Sequence, residues 1–258
     1  MSKMNVFVHD PNASLRNVHP DITIVDNIHE AGKFVVSVGG DGTFLSTFNM
    51  MAANHMLDTH ILHGINTGTL GFLANAANTD EFMLTPSMLL NSLVQKRMLL
   101  AVFLDGMRVG TVLNELTIHP KKLGKLFVID AHIKGAYEAT LTYKGDGLII
   151  CTPTGSTAYN LSAGGPIIDP TTESITLTPI CPFSLSARHI VLNANNVVSL
   201  CPEKLNGHVN NLVVLDGNTY DSANIIAVRK SASHLHMQLN HNFFDAIHTK
   251  LGWNNSIK

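Results

Sequence analysis

The chain has 258 residues, of which 45% are hydrophobic and 14% charged, and its formal net charge is −2. That is enough for one large or two modest domains with an ample core. With no long basic run the chain is a poor candidate for a nucleic-acid partner, and no stretch approaches the ~18 apolar residues of a membrane span.

The opening, "MSKMNVFVHDPNASLRN", holds too short an apolar run for a signal peptide, and Asp10 and Pro11 interrupt it. Within it "NVFVHD" (5–10) reads as a first strand, and "DITIVD" (21–26) as a second. "PNASLRNVHPD" between them is too short and Pro-bounded for a full helix, so an abbreviated first βα unit is expected. "FVVSV" (34–38) reads as a buried strand, followed by a glycine turn and a helix through about residue 54. "HILHGIN" (60–66) is another short strand and ends in "NTGTLGF"; "SMLLNSLVQK" (87–96) has helical spacing. Strands alternating with helices imply a parallel sheet of Rossmann or flavodoxin-like type, with function at the carboxyl ends of its strands. Both glycine loops, 39–42 and 66–71, fall at such ends.

From about residue 98 the texture changes. "LLAVFLDGMRVGTVLNELTIHP" has an Asp-Gly turn between apolar runs and reads as a hairpin. Short strands and turns continue through "VVSLCP", "NLVVLDGNTY" and "IIAVRK", and "HNFFDAIHTKLGW" closes the chain as an amphipathic segment. The expected organisation is an α/β domain over 1–97, an all-β domain over 98–230, and a tail over 231–258 that packs back on the first.

Chemistry concentrates in three stretches. In "GGDGT", Gly39, Gly40 and Gly42 free the backbone and clear side chains from its path. Backbone N–H groups of 39–43, Thr43 included, would form a phosphate cradle at the helix start. A bare cradle has no use for an anion, so Asp41 points to a group that takes a proton, or orients a hydroxyl or a metal, beside the phosphates. The plainer reading is a tight turn with Asp41 as helix N-cap. In "TVLNELTIHP", Asn114 and Glu115 would face opposite sides of a strand. Asn suits an adenine edge and Glu ribose hydroxyls; ordinary polar decoration of a hairpin is the alternative.

The third stretch, "YKGDGLIICTPTGSTAYNLSAGGPIIDP" (143–170), is the most informative. Lys144 and Asp146 flank a glycine before an apolar strand, which ends in Thr152, Thr154, Gly155, Ser156, Thr157 and Ala158. Small residues let a ligand approach the backbone, Tyr159 adds an aromatic face, and Ser162 a hydroxyl. Loops of this length and mix are often functional. By contrast, Cys151, Cys181 and Cys201 give neither a disulfide framework nor metal spacing, which favours a reducing, cytoplasmic setting. His234 and His236 alternate as on one strand face but lack a supporting ligand spacing, so no metal site is assigned.

Taken in order, "GGDGT", "NE", "GDGLIICTPTGSTAYNLSAGGPII" and "LTPICPFSLSARHIVL" resemble the NAD kinase family across about residues 34–258, "TKLGW" included. "GGDGT" alone also occurs in diacylglycerol-type lipid kinases and, more distantly, phosphofructokinases; "TPTGSTAYNLSAGGP" after "GDG" is the specific element. The resemblance implies an N-terminal α/β and a C-terminal all-β domain. It implies transfer of a phosphoryl group from ATP, or in some members polyphosphate, to the 2′-hydroxyl of the adenosine ribose of NAD. Mg²⁺ or another divalent cation would accompany ATP, and the chain would form a homo-oligomer, with a tetramer expected and "SLSARHIVL" at its interface. By position, Asp41 resembles the catalytic base, with Gly42 beside it, and Asn114 and Glu115 the NAD-contacting pair. Asp146 matches the acid before the small-residue loop. Thr157, Ala158, Tyr159, Asn160, Leu161 and Ser162 match the segment that wraps the adenosine, with Tyr159 stacking. Asn218 stands where the family has Gln or another polar residue, and Lys125 aligns with a weaker contact. Lys144 and Thr67 replace Arg found in many members, and Lys gives up bidentate geometry. Two other functions share parts of this pattern: a lipid kinase with the same glycine turn, and a catalytically weak NAD(P)-binding protein.

Overall fold

The computed structural model describes residues 4–7, 22–25, 32–68, 71–76, 93–122, 126–204 and 208–252. Strands β1 (Met4–Phe7) and β2 (Ile22–Val25) pair in parallel. The expected abbreviated helical unit between them, and Lys125, lie outside the described residues.

Strand β3 (Phe34–Val38), helix α1 (Asp41–Ala53) and strand β4 (Ile61–Asn66) form a βαβ unit, with β3 and β4 parallel. α1 buries Phe44, Phe48 and Met51, which its 3.6-residue period brings to one face. Gly64 on β4 makes room for it, since a Cβ there would stand 2.7 Å from the Phe44 ring. β5 (Asn75–Ala76) extends the parallel pairing from β4. β3 ends the described sheet, and only Ser37 of its residues is buried. Its apolar run reads as a buried strand, yet Val36 and Val38 keep one exposed edge among the described residues.

β6 (Val94–Leu104) begins where the sequence reads as the end of a helix. Val94, Gln95 and Lys96 are strand, held opposite Gln238, Met237 and His236 of β17 (Ile226–Gln238). Pairing with a strand far along the chain outweighs the local helical spacing. β6 turns into β7 (Met107–Val112) through Asp105 and Gly106, both at positive φ, as a two-residue hairpin demands.

β17 joins the two parts of the molecule. One edge pairs with β6 along its length. The other takes β14 (Val197–Pro202) near its start and, in parallel, β4 at Met237 and Gln238. β9 (Phe127–Lys134) and β10 (Glu138–Gly145) complete this nine-stranded sheet. A second, wholly antiparallel sheet runs β13 (Ile190–Asn193), β12 (Ser174–Ile180), β11 (Gly147–Cys151), β8 (Glu115–Pro120), β15 (Asn211–Leu215), β16 (Asn218–Tyr220). Alternate residues of the two sheets, among them Leu100, Val102, Ile129 and Val198 against Leu116, Ile118, Leu148 and Ile150, share the main core. The result is an α/β part with a mixed sheet followed by a largely antiparallel β part, the fold class the sequence implies.

A second core joins Phe44, Phe48 and Met51 of α1 to Leu73, Leu99, Leu113, Leu235 and Met237. Leu113 precedes Asn114 directly, so one apolar cluster anchors both the glycine turn and the Asn-Glu pair. The chain closes in α2 (Phe243–Leu251), capped by the Asn242 side chain and ended by Gly252 in the left-handed region.

Candidate active site

Gly40, not Asp41, is the N-cap of α1, and no side chain caps this helix. The N-cap reading of Asp41 is therefore wrong. Asp41 is the first helical residue and turns its carboxylate on the loop after β4. Its Oδ2 accepts the Phe72 N–H at 2.9 Å and its Oδ1 the Leu73 N–H at 3.2 Å. Gly71 permits this approach, since a Cβ there would lie 1.9 Å from Asp41 Oδ1. The carboxylate remains partly open, with 28% of the side chain exposed.

The first intrahelical bond runs from Phe44 N–H to Gly40 carbonyl, so the amides of 41–43 point out of the helix end. A Cβ on Gly40 or Gly42 would meet nothing within 4 Å. Packing within the chain does not require glycine at these two positions, whereas a ligand against the backbone would. Gly39 is different, because it packs on the Thr43 side chain. Thr67 is exposed beyond the end of β4.

The Asn-Glu pair does not lie on one strand. Asn114 falls in the bend before β8, and Glu115 opens that strand. Asp216, which sequence reasoning passed over, holds the bend. Its carboxylate accepts N–H bonds from Leu113 at 2.6 Å, Asn114 at 3.0 Å and Glu115 at 3.0 Å. Burial pushes the Asp216 carboxyl up to about 6, against the pull of those three donors. Burial, together with the charge of Asp216, pushes Glu115 up to about 8. Glu115 accepts the Tyr159 N–H, and its Oε2 is buried with no partner among the described residues. An unpaired buried carboxyl oxygen is costly and calls for a hydrogen-bond partner from a ligand. Asp216 lies at positive φ beside Gly217, in the turn that leads to exposed Asn218.

The small-residue loop is built directly on this bend. Thr152 donates its N–H to Asn114 carbonyl and its hydroxyl to Leu113 carbonyl. Gly155 sits so close that a Cβ would be 2.2 Å from Asn114 O. After a 3₁₀ turn over Thr154–Thr157, one helical turn spans Tyr159–Ser162. Thr157, Ala158 and Leu161 are half-buried, Tyr159 is 40% exposed, and Ser162 is exposed. Asn160 departs from the expectation that the whole segment wraps a ligand. Its amide is fully buried, donating to Ser156 and Pro166 carbonyls and accepting from Thr178. That side chain, fully buried, braces the loop.

The Tyr159 ring lies nearly parallel to His119, with centroids 6.4 Å apart. His119 also bonds the Asp146 backbone and Thr117 Oγ1, and burial lowers its pKa. Asp146 is exposed beside His119, and Lys144, two residues earlier, is also exposed.

A family model for the ATP-NAD kinase C-terminal domain matches residues 113–239, the span that holds this bend and loop. The NAD kinase of Blochmanniella pennsylvanica is 32% identical over 269 residues, covering 98% of this chain and 86% of its own. The chain belongs to the NAD kinase family. The NAD kinase of Bacteroides fragilis is 37% identical over 246 residues, covering 92% and 81%. Among solved structures, yeast NADH kinase complexed with NADH superposes with a TM-score of 0.75 at 26% identity, covering 88% of this chain and 69% of that one. An Archaeoglobus fulgidus NAD kinase in complex with ATP gives 0.73 at 26% identity, covering 90% and 88%.

In this member of the NAD kinase family, three further residues lie within electrostatic reach of one another and of Asp41. Asp169, at the end of the small-residue loop, interacts with Arg97 on β6. The charges of Arg97 and Asp41 both act on His241, in opposite directions. Arg97 is buried, its Nε lacks a partner among the described residues, and burial lowers its pKa to about 10. Arg97 carries no motif, and only pairing of β6 with β17, Arg97 opposite Leu235, sets it on the strand that leads to His241. No group of three or more His, Cys, Asp or Glu that could hold a metal occurs among the described residues.

Proposed function

We propose that the protein transfers the terminal phosphoryl group of ATP to the 2′-hydroxyl of the adenosine ribose of NAD, with Asp41 as the base. The observation that carries this is a half-open carboxylate set at a helix end whose amides face outward, with two glycines leaving the backbone bare. The amides of 41–43 would hold donor phosphates. Asn114, Glu115 and the 157–162 segment would hold NAD, Tyr159 stacking on the adenine. The NAD kinase relatives, with the small-residue loop and Tyr159, favour a nucleotide acceptor over the acyl chain of a lipid kinase.

Aspartate is a weak base, with an ordinary pKa of about 3.9. In a loose phosphoryl-transfer transition state the proton leaves late, and catalysis is mostly positioning and charge neutralisation. Asp41 would orient the hydroxyl and accept its proton as the new O–P bond forms and the bond to the leaving ADP breaks. Mg²⁺ fits as an ion carried on the donor's phosphate oxygens, since it keeps several waters and needs few protein ligands. Asp41 is the carboxylate at the helix end that would reach it; bound there, the ion would neutralise phosphate charge.

Two further proposals concern setting. A homo-oligomer, with a tetramer expected, is supported by the loop before β13, where Phe183 and Leu185 are 77% and 91% exposed. A cytoplasmic setting is supported by three free, widely spaced cysteines. The deciding experiment offers NAD or NADH with ATP or polyphosphate, without lipid, and measures NADP(H) formation. No product with any pair would overturn the activity. A fully active monomer in sedimentation at micromolar concentration would overturn the assembly.

A further inference from the structure

Lys250 lies in the last turn of α2, far along the chain from the glycine turn. Its ammonium is 3.8 Å from Asp41 Oδ2 and 5.1 Å from the centroid of the Phe72 ring, with the cation over the ring face. Phe72 is the residue whose N–H binds that same carboxylate oxygen, and its ring contacts Phe243 at the start of α2. The helix is fixed at both ends by its caps and buries Ala246 and Ile247, so the stem of Lys250 is aimed by a rigid element. The ammonium itself is not committed. At 3.8 Å it makes no close hydrogen bond to Asp41, and 31% of the side chain is exposed. So open an ion pair adds little to stability.

The electrostatics of the site give this cation a task. A polyphosphate held at the outward amides of 41–43 brings several negative charges beside the Asp41 carboxylate. Like charges at that distance repel, and negative charge on the transferring group must be neutralised for transfer to proceed. The flexible four-carbon stem of a lysine lets its head move between neighbouring anions.

We propose that Lys250 is a ligand of the phosphate donor, resting on Asp41 when no donor is bound and turning to the transferring phosphoryl oxygens when one docks. In the reaction the 2′-oxygen bonds to the terminal phosphorus. The bond to the bridging oxygen breaks, and its electron pair leaves with ADP. The hydroxyl proton goes to Asp41, and Lys250 keeps its own protons throughout. The move also uncovers Asp41 Oδ2 for the incoming hydroxyl. This rests on the reading of Asp41 and the start of α1 as the transfer site.

The test uses the full-length protein with Lys250→Met, which keeps stem length and the contact with Phe72, and Lys250→Arg, which keeps the charge. ATP and NAD are varied separately, and ATP binding without divalent cation is followed by calorimetry. Loss of one charged donor contact predicts a fall of about 10²-fold in kcat/KM for ATP in Lys250→Met. ATP affinity should drop at least about tenfold with it, while NAD affinity and Tm stay near wild type. Lys250→Arg should recover most of the loss. ATP kinetics and ATP binding within about threefold of wild type in Lys250→Met would overturn the proposal, as would a loss confined to NAD or matched by a fall in Tm. Asp41→Asn, assayed in parallel, separates the two levels. If that variant is inactive while Lys250→Met is normal, only the lysine assignment fails; if Asp41→Asn is fully active, the transfer-site reading fails first.

Discussion

Replacing Asp41 by Asn tests the base and the scaffold at once, and the geometry separates them. The carboxylate gives one oxygen to the Phe72 N–H and the other to the Leu73 N–H. Asparagine has a single acceptor oxygen, and its amide nitrogen can only donate. One of the two backbone N–H groups therefore loses its partner whichever way the amide is turned. Hydrogen bonds to charged groups are worth about 1.5–3 kcal/mol, and a partly exposed N–H can recover water, so the cost is about 1–3 kcal/mol. For a chain of this size that is roughly 2–12 °C in Tm. Turnover should fall further, because Asn cannot take the hydroxyl proton, and general-base contributions run at about 10²–10⁴-fold. Substrate affinity should move far less, since removing an anion beside phosphates relieves repulsion. The assay is NADP formation at saturating ATP and NAD, with calorimetric affinities and a thermal melt on the same preparation. A rate above about a tenth of wild type would refute the base assignment. An unchanged Tm would refute the claim that Asp41 grips the 72–73 loop.

If Tyr159 stacks on the adenine, Tyr159→Ala should weaken NAD binding by about 1–3 kcal/mol and Tyr159→Phe only slightly; equal losses in a binding titration would shift the role from ring to hydroxyl. Glu115 is held at about 8 rather than the ordinary 4.5, chiefly by burial and next by Asp216. A raised folded-state pKa stabilises the fold below the unfolded value, and that stability is lost as pH rises through the folded one. The wild-type Tm should therefore fall as pH rises from 4.5 to about 8, with Asp216 adding to the fall only up to about 6. Glu115→Gln should flatten the upper part of that profile and weaken NAD binding; melts that stay parallel to wild type from pH 6 to 8 would contradict the buried-acid reading.

By itself, the sequence determined the fold class and marked three segments as the candidate site, because each is written in local chemistry. "GGDGT" needs glycines within a few residues of one another, and the loop from Thr152 to Gly165 needs small residues in a run. Short apolar runs between turns, the Asp-Gly pair at 105–106 among them, marked the strands that close the β core. What it could not contain was the contact each polar group makes with a distant element. Asp41 reads as a cap because capping is the local use of a carboxylate at a helix start. Only the approach of Gly71, brought in by parallel pairing of β3 and β4, turns it onto Phe72 and Leu73. Val94–Lys96 have helical spacing, and only the partner strand β17 makes them extended. Asp216 is an ordinary Asp-Gly turn residue in the sequence. Antiparallel pairing of β15 with β8 places it under the Asn-Glu bend, 101 to 103 residues away in the chain. Lys250 likewise belongs to the site only because α2 folds back across the Phe72 loop. Local residue chemistry chose the pieces, and long-range strand pairing decided which charges face one another.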